Sequence, residues 1–105
     1  MQFWKYLIPA LAFGAGIVCS AHAADDQAKI DQGREIYGEF CVACHGRDLV
    51  ATGPLTFDLR KFPKDDAARF KEVVLNGKGQ AMPPWREKLS DEDVMLLWEY
   101  VRSGG

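Results

Sequence analysis

At 105 residues the chain is long enough for one domain and no more. Its 48% hydrophobic and 27% charged residues are ordinary globular composition, which excludes a disordered tail and a multi-span membrane protein. With 13 basic against 15 acidic side chains there is no positive field to hold nucleic acid, so no nucleic-acid partner is expected.

The first 23 residues differ in character from the rest. Lys5 is followed by the apolar run Tyr6 to Val18 and then by Cys19-Ser20-Ala21-His22-Ala23. That run falls short of the roughly 20 residues a spanning helix needs, and Ala21-His22-Ala23 fits a small-x-small cleavage pattern. Residues 1–23 therefore read as a secretory signal peptide cut after Ala23. Residues 24–105 read as an exported, periplasmic domain, with no membrane insertion of the mature chain. An uncleaved anchor fits the short run poorly, and bulky Ile17 and Val18 disfavour lipid attachment at Cys19.

From Asp25 to Val42, the residues Ile30, Gly33, Ile36, Tyr37 and Phe40 recur at spacings of three and four and predict a first helix with one apolar face. It runs into Cys41-Val42-Ala43-Cys44-His45. Once the leader takes Cys19 and His22 with it, these five positions hold every cysteine and histidine of the chain. In an exported protein C-x-x-C-H is the pattern of covalent haem attachment. Two thiols three positions apart on a helical turn reach the two vinyl groups of one porphyrin, and the adjoining imidazole of His45 is presented to the iron. Closed tetrahedral zinc needs four ligands, where only three clustered candidates exist. A thioredoxin-like dithiol needs a strand before the motif, and the pattern here is helical. A lone disulfide over so short a loop would remove little unfolded-state entropy.

Gly46 to Lys64 reads as a long irregular loop, acceptable in so small a domain when a bound group gives it something to pack on. Asp66 to Leu75 predicts a middle helix with Phe70, Val73 and Val74 inward and Asn76-Gly77 as its stop. Met82 follows, between Gly77, Gly79 and the pair Pro83-Pro84, where neither helix nor central strand can form. After the leader, only Met82 and Met95 carry thioethers. Met95 lies mid-helix among apolar neighbours and reads as core, whereas Met82 on its loop is either exposed and idle or a ligand, and a haem needing a second axial ligand favours the latter. Ser90 before Asp91-Glu92-Asp93 signals the start of a last helix, with Val94, Leu97, Trp98 and Val101 on one face and Gly104-Gly105 as its end. No alternating pattern exceeds three or four residues. The expected fold is all-α, with three main helices wrapped round the cofactor. A chain this short buries little apolar surface, so haem is expected to act as its staple and the haem-free chain to be largely unfolded.

Taken together, C-V-A-C-H, Gly53-Pro54-Leu55, Ala81-Met82-Pro83 and the aromatic-rich last helix resemble, in order, the class I cytochromes c, small single-haem electron carriers. The resemblance runs over residues 29 to 103. It implies that the Pro54 carbonyl accepts the proton on the far nitrogen of His45, leaving the other nitrogen free for iron. It implies that Gly33 and Tyr37 of the first helix meet Leu97 and Tyr100 of the last nearly at right angles, where a missing side chain lets backbones approach. The implied cofactor-binding set is Cys41, Cys44, His45, Pro54 and Met82, holding one haem c with His45 and Met82 on the metal. With both axial positions filled by protein, the implied role is electron transfer rather than enzymatic turnover. Its partners would be redox proteins docking transiently, a dehydrogenase donor and an oxidase or reductase acceptor, and the carrier would be a monomer. Asp58-Leu59-Arg60 with Gly79-Gln80-Ala81-Met82-Pro83 is similar to cytochromes that accept electrons from quinoprotein alcohol dehydrogenases, and to haem domains fused to such enzymes. The rival reading is a peroxidase-like haem enzyme or gas-binding sensor in which Met82 is displaced.

Other conspicuous residues stay open. Arg60, Lys61 and Lys64 read as propionate contacts, as a docking patch, or as plain solvated charge. Trp85 reads as a cover for the haem crevice or as a propionate donor, and Trp98 as core.

Overall fold

The computed structural model describes residues 18–105. Lys5 and nearly all of the apolar run of the expected leader lie outside these residues, and the expected cleavage position after Ala23 falls within the first helix. Four α-helices follow in order: α1 (Val18–Phe40), α2 (Val42–His45), α3 (Ala67–Asn76) and α4 (Asp91–Ser103). Single 3-10 turns stand at Arg47–Leu49 and Leu59–Lys61. Among the described residues there is no strand, and an isolated antiparallel bridge joins Lys78 to Met82. The fold is all-α, as the periodicity predicts.

The anticipated first helix is two helices. α1 ends at Phe40, Cys41 makes a turn, and α2 carries the rest of C-x-x-C-H. On α1, Gly33 and Tyr37 are buried, and Ile30, Ile36 and Phe40 are half-buried. This face crosses α4. A Cβ on Gly33 would overlap the Leu96 carbonyl oxygen and lie 2.9 Å from Tyr100 Cβ, so the two backbones approach as only glycine allows. One turn on, the Tyr37 and Tyr100 rings meet at 5.2 Å between centroids and 53° between planes. Gly33 thus meets the Leu96 backbone, while Leu97 is buried beside the crossing.

α4 is held at its start by a capping box. Ser90 Oγ accepts from the Asp93 amide, and Asp93 Oδ2 accepts from the Ser90 amide, each at 3.0 Å. Its buried face consists of Val94, Leu97, Trp98, Tyr100 and Val101. Met95 is a correction to the sequence reading: it is 42% exposed rather than core. At about 100° per residue it lies on the far side of α4 from that stripe, and its apolar neighbours in the sequence point the other way.

α3 is capped by Asp66, whose side chain accepts from the Arg69 amide at 3.1 Å. Its buried residues are Phe70, Val74 and Leu75; Val73 is only half-buried. Phe62, Phe70 and Trp98 pack mutually with centroid separations of 5.0 to 5.8 Å, tying the long loop and α3 to α4. Such pairs contribute roughly 0.5–1.5 kcal/mol each beyond area burial. Leu49, fully buried, anchors the other end of that loop. Asp48 and Leu49 take left-handed backbone angles, φ 53° and 69°. Such angles are unfavourable for residues with a side chain, and the full burial of Leu49 offsets part of that cost.

Gly33→Val is expected to force the α1–α4 crossing apart. It should lower the unfolding free energy of the holoprotein by about 2–3 kcal/mol, read by denaturant melting, whereas an unchanged midpoint would contradict the close approach.

Candidate cofactor site

The attachment segment is built from the end of α1. The Cys41 amide continues the helical ladder to the Tyr37 carbonyl at 2.9 Å. The Cys41 carbonyl then accepts from both the Cys44 amide at 3.2 Å and the His45 amide at 2.8 Å, winding the two thiols onto one turn. Gly46 ends it with φ +81°, and a Cβ there would overlap the Val50 carbonyl oxygen. The Tyr37 hydroxyl, buried, donates to the Gly46 carbonyl at 2.5 Å. Cys41 and Cys44 form no disulfide, Cys41 being half-buried against the core and Cys44 exposed. Burial, and secondarily the neighbouring Cys44, pushes the Cys41 thiol up to about 12.

His45 is half-buried, and its Nδ1–H donates to the carbonyl of Phe57 at 3.3 Å. A carbonyl can only accept, so this contact places the ring proton on Nδ1 and leaves the Nε2 lone pair for a metal. The implied partner was Pro54, and here the structure differs. Gly53 to Leu55 form an exposed turn, and the chain returns toward the histidine only at Phe57, three residues on. The contact the resemblance implies for the Pro54 carbonyl is made here by the Phe57 carbonyl of the same loop.

Met82 is half-buried and, like Cys41, packs against the core cluster. Its loop is closed by reciprocal backbone bonds, the Lys78 amide to the Met82 carbonyl at 2.9 Å and the Met82 amide to the Lys78 carbonyl at 3.4 Å. Gly77, with φ +79°, both stops α3 and admits this loop, because a Cβ would sit 2.6 Å from the Met82 carbonyl oxygen. At the neck, the Trp85 amide donates to the Val74 carbonyl at 3.0 Å, and the Arg86 guanidinium donates twice to Asn76 Oδ1, at 2.9 and 3.2 Å. The Trp85 ring lies edge-on to Phe40 at 5.5 Å.

Apolar surface is left over around these donors. Leu55 is 97% exposed, Phe57 51% and Val50 42%, while Phe40, Val42, Leu59, Phe62 and Trp85 are half-buried where they pack on the core. A cleft of about 430 Å³ is lined by residues 51 and 53–58 together with Lys61. Phe57 both lines it and holds His45. Two thiols on one turn, an imidazole with its outer proton committed, a thioether on a closed loop and partly exposed apolar side chains suit a flat apolar tetrapyrrole with a metal at its centre. Among the described residues no three His, Cys, Asp or Glu side chains converge on a point where a bare metal ion could sit.

Of the charged residues at the loop, Arg60 is committed locally. Its guanidinium meets Asp58 through two bonds of 2.9 and 2.5 Å, and Asp58 also accepts from the Arg60 amide at 3.0 Å, capping the 3-10 turn. Lys64 lies instead with Asp26, Glu99 and Arg102 at a cleft of about 290 Å³ near the end of α4. The sequence reading missed two groups. The Phe57 carbonyl left no signal, being backbone. The Tyr37 hydroxyl did leave one, since a phenol on a buried helical face needs a partner.

A helical frame carrying these donors is a c-type cytochrome domain. The family model described as "Cytochrome C oxidase, cbb3-type, subunit III" matches residues 28–101. The chain belongs to this family, and with membership comes a covalently bound haem c and a role in electron transfer. Quinohemoprotein alcohol dehydrogenase ADH IIB of Pseudomonas putida is 35% identical over 83 residues, 77% of this chain and 12% of its own length. Cbb3-type cytochrome c oxidase subunit CcoP of Azospirillum sp. (strain B510) is 33% identical over 92 residues, 78% of this chain and 31% of its own. Chloroplastic cytochrome c6 of Chlamydomonas reinhardtii is 33% identical over 103 residues, 90% of this chain and 68% of its own. The chain therefore spans less than a third of the first two relatives and about two thirds of the third. No solved structure matches it significantly.

The Arg60 side chain is the largest influence holding the Asp58 carboxyl down at about 2. A carboxylate depressed in this way favours the folded loop above its ordinary range and loses that preference as pH falls through about 2. In Arg60→Ala, carbon-detected NMR titration should return Asp58 toward the ordinary carboxylate value of 3.8, and an unmoved titration would contradict the pairing.

Proposed function

We propose that the chain is an exported carrier of single electrons, its haem c attached through Cys41 and Cys44 and ligated by His45 and Met82. The observation that carries this reading is the commitment of the His45 Nδ1 proton to the Phe57 carbonyl, because it leaves Nε2 as a lone-pair donor of fixed orientation. Bound haem supplies a one-electron couple. The protein does the rest. Cys41 and Cys44 would hold the haem at the end of α1, His45 and Met82 would ligate its iron, and the half-buried Phe40, Phe62 and Trp85 would help keep water away. An apolar, water-poor surround disfavours the oxidised, more highly charged state, and a thioether ligand acts in the same direction, so both raise the potential. Ligation by both His45 and Met82 would leave no open metal position for a small-molecule substrate, so this reading is one of electron transfer rather than enzymatic turnover.

Residues 1–23 act in this reading as a cleaved signal peptide and residues 24–105 as a periplasmic, monomeric carrier. No helix among the described residues is long and apolar enough to cross a membrane. The donor we favour is a quinoprotein alcohol dehydrogenase and the acceptor a terminal oxidase, each docking transiently. Likeness to a quinohemoprotein dehydrogenase and to an oxidase subunit supports that pairing.

Met82→Ala tests it. The oxidised wild type should show the weak long-wavelength band of a sulfur–iron(III) bond, and its reduced form should bind carbon monoxide slowly. The variant should lose the band, fall in midpoint potential and bind carbon monoxide rapidly. A wild type that already binds carbon monoxide rapidly would replace the carrier with a ligand-binding or peroxidase-like haem protein.

A further inference from the structure

Tyr37 touches the attachment segment at both ends. Its backbone carbonyl accepts from the Cys41 amide at 2.9 Å, and its hydroxyl donates to the Gly46 carbonyl at 2.5 Å, so one residue brackets the stretch from the first thiol to the position after the histidine. Among the described residues this is the one side-chain hydrogen bond made to the backbone of residues 41–46. It adds a side-chain tie to a segment otherwise held by backbone bonds, the Gly46 amide to the Val42 carbonyl at 2.9 Å among them. Gly46 itself sits at φ +81°, a region open to glycine.

Ring packing alone does not account for a tyrosine here. The contact with Tyr100 is made by the rings, and a phenylalanine would make it equally well. A buried hydroxyl is unfavourable unless it is bonded. This one is 2% exposed as a residue and finds its partner beside the histidine rather than on α4. Burial also raises its pKa, which favours the protonated, donating form.

We propose that Tyr37 is a positioning residue for the haem iron: by fixing the Gly46 carbonyl, its hydroxyl sets the rotation of His45 about the chain and hence the orientation of the imidazole at the metal. The α1–α4 crossing and the axial ligand are then one mechanical unit, since the same ring packs on Tyr100 and the same side chain ends at Gly46. This rests on His45 being the iron ligand.

The test compares three holoproteins: wild type, Tyr37→Phe, which keeps the ring and removes the bond, and Tyr100→Phe, which removes a hydroxyl from the same aromatic pair but none from the segment. The readouts are midpoint potential and the hyperfine-shifted proton resonances of the His45 ring. Tyr37→Phe should shift both, and Tyr100→Phe should leave both at wild-type values. Equal potentials and superimposable His45 resonances in all three, whatever happens to their melting temperatures, would overturn the proposal and leave Tyr37 as core alone. If Tyr37→Phe does not accumulate as holoprotein, the wild type still decides. A slowly exchanging Tyr37 hydroxyl proton with a nuclear Overhauser contact to the Gly46–Arg47 segment is expected, and a freely exchanging one would overturn the proposal. Failure of the ligand assignment is separable, because the wild type would then show no hyperfine-shifted histidine ring at all.

Discussion

The missing side chain of Gly33 is the constraint on which the rest of the molecule depends. With the Leu96 carbonyl where a Cβ would stand, α1 and α4 can cross in contact, and their relative placement is set by backbone rather than by adjustable side chains. Cys41 lies eight residues further along. At 1.5 Å per residue that is about 12 Å of helix, short and stiff enough to deliver the attachment segment to a defined place. The cap of Ser90 and the burial of Val94, Leu97 and Val101 hold the other helix of the pair.

Around that crossing the donors come from two kinds of structure. The thiols and the imidazole leave the end of a helix and inherit its rigidity. The Phe57 carbonyl bonded to His45 and the proposed thioether ligand Met82 lie on irregular loops, each governed by a glycine at positive φ pressed against a neighbouring carbonyl, Gly46 at Val50 and Gly77 at Met82. Loops of this kind are held by what they pack on. Leu49 and Phe62 anchor the first, and Trp85, wedged against Phe40 and bonded to α3, anchors the second. For a redox protein this arrangement suits a metal whose coordination should change little as its charge changes.

Much of this was legible in the residues alone. Ser90 with its acidic first turn marked the start of α4, Asp66 and Gly77 bounded α3, and C-x-x-C-H with Met82 named the side chains proposed to hold the cofactor. What was not legible is of two kinds. Backbone groups carry no residue code, so the oxygen facing His45 could be expected within the loop after the motif but not assigned to Phe57 over Pro54. Face assignment within a helix fails where apolar residues run together: in Val94-Met95-Leu96-Leu97 the hydrophobicity is continuous, and only the rotation fixed by Gly33 shows that Met95 points outward. The break of the first helix at Cys41 was hidden for a similar reason, since a turn that keeps its hydrogen bonds leaves the pattern of three and four intact.

The most direct test of the account is the mass of the secreted chain and of its proteolytic fragment spanning residues 41–45. One covalently added haem on that fragment, bound through both Cys41 and Cys44, is the result predicted. A secreted chain whose two thiols both react with alkylating agent and carry no added mass would contradict it.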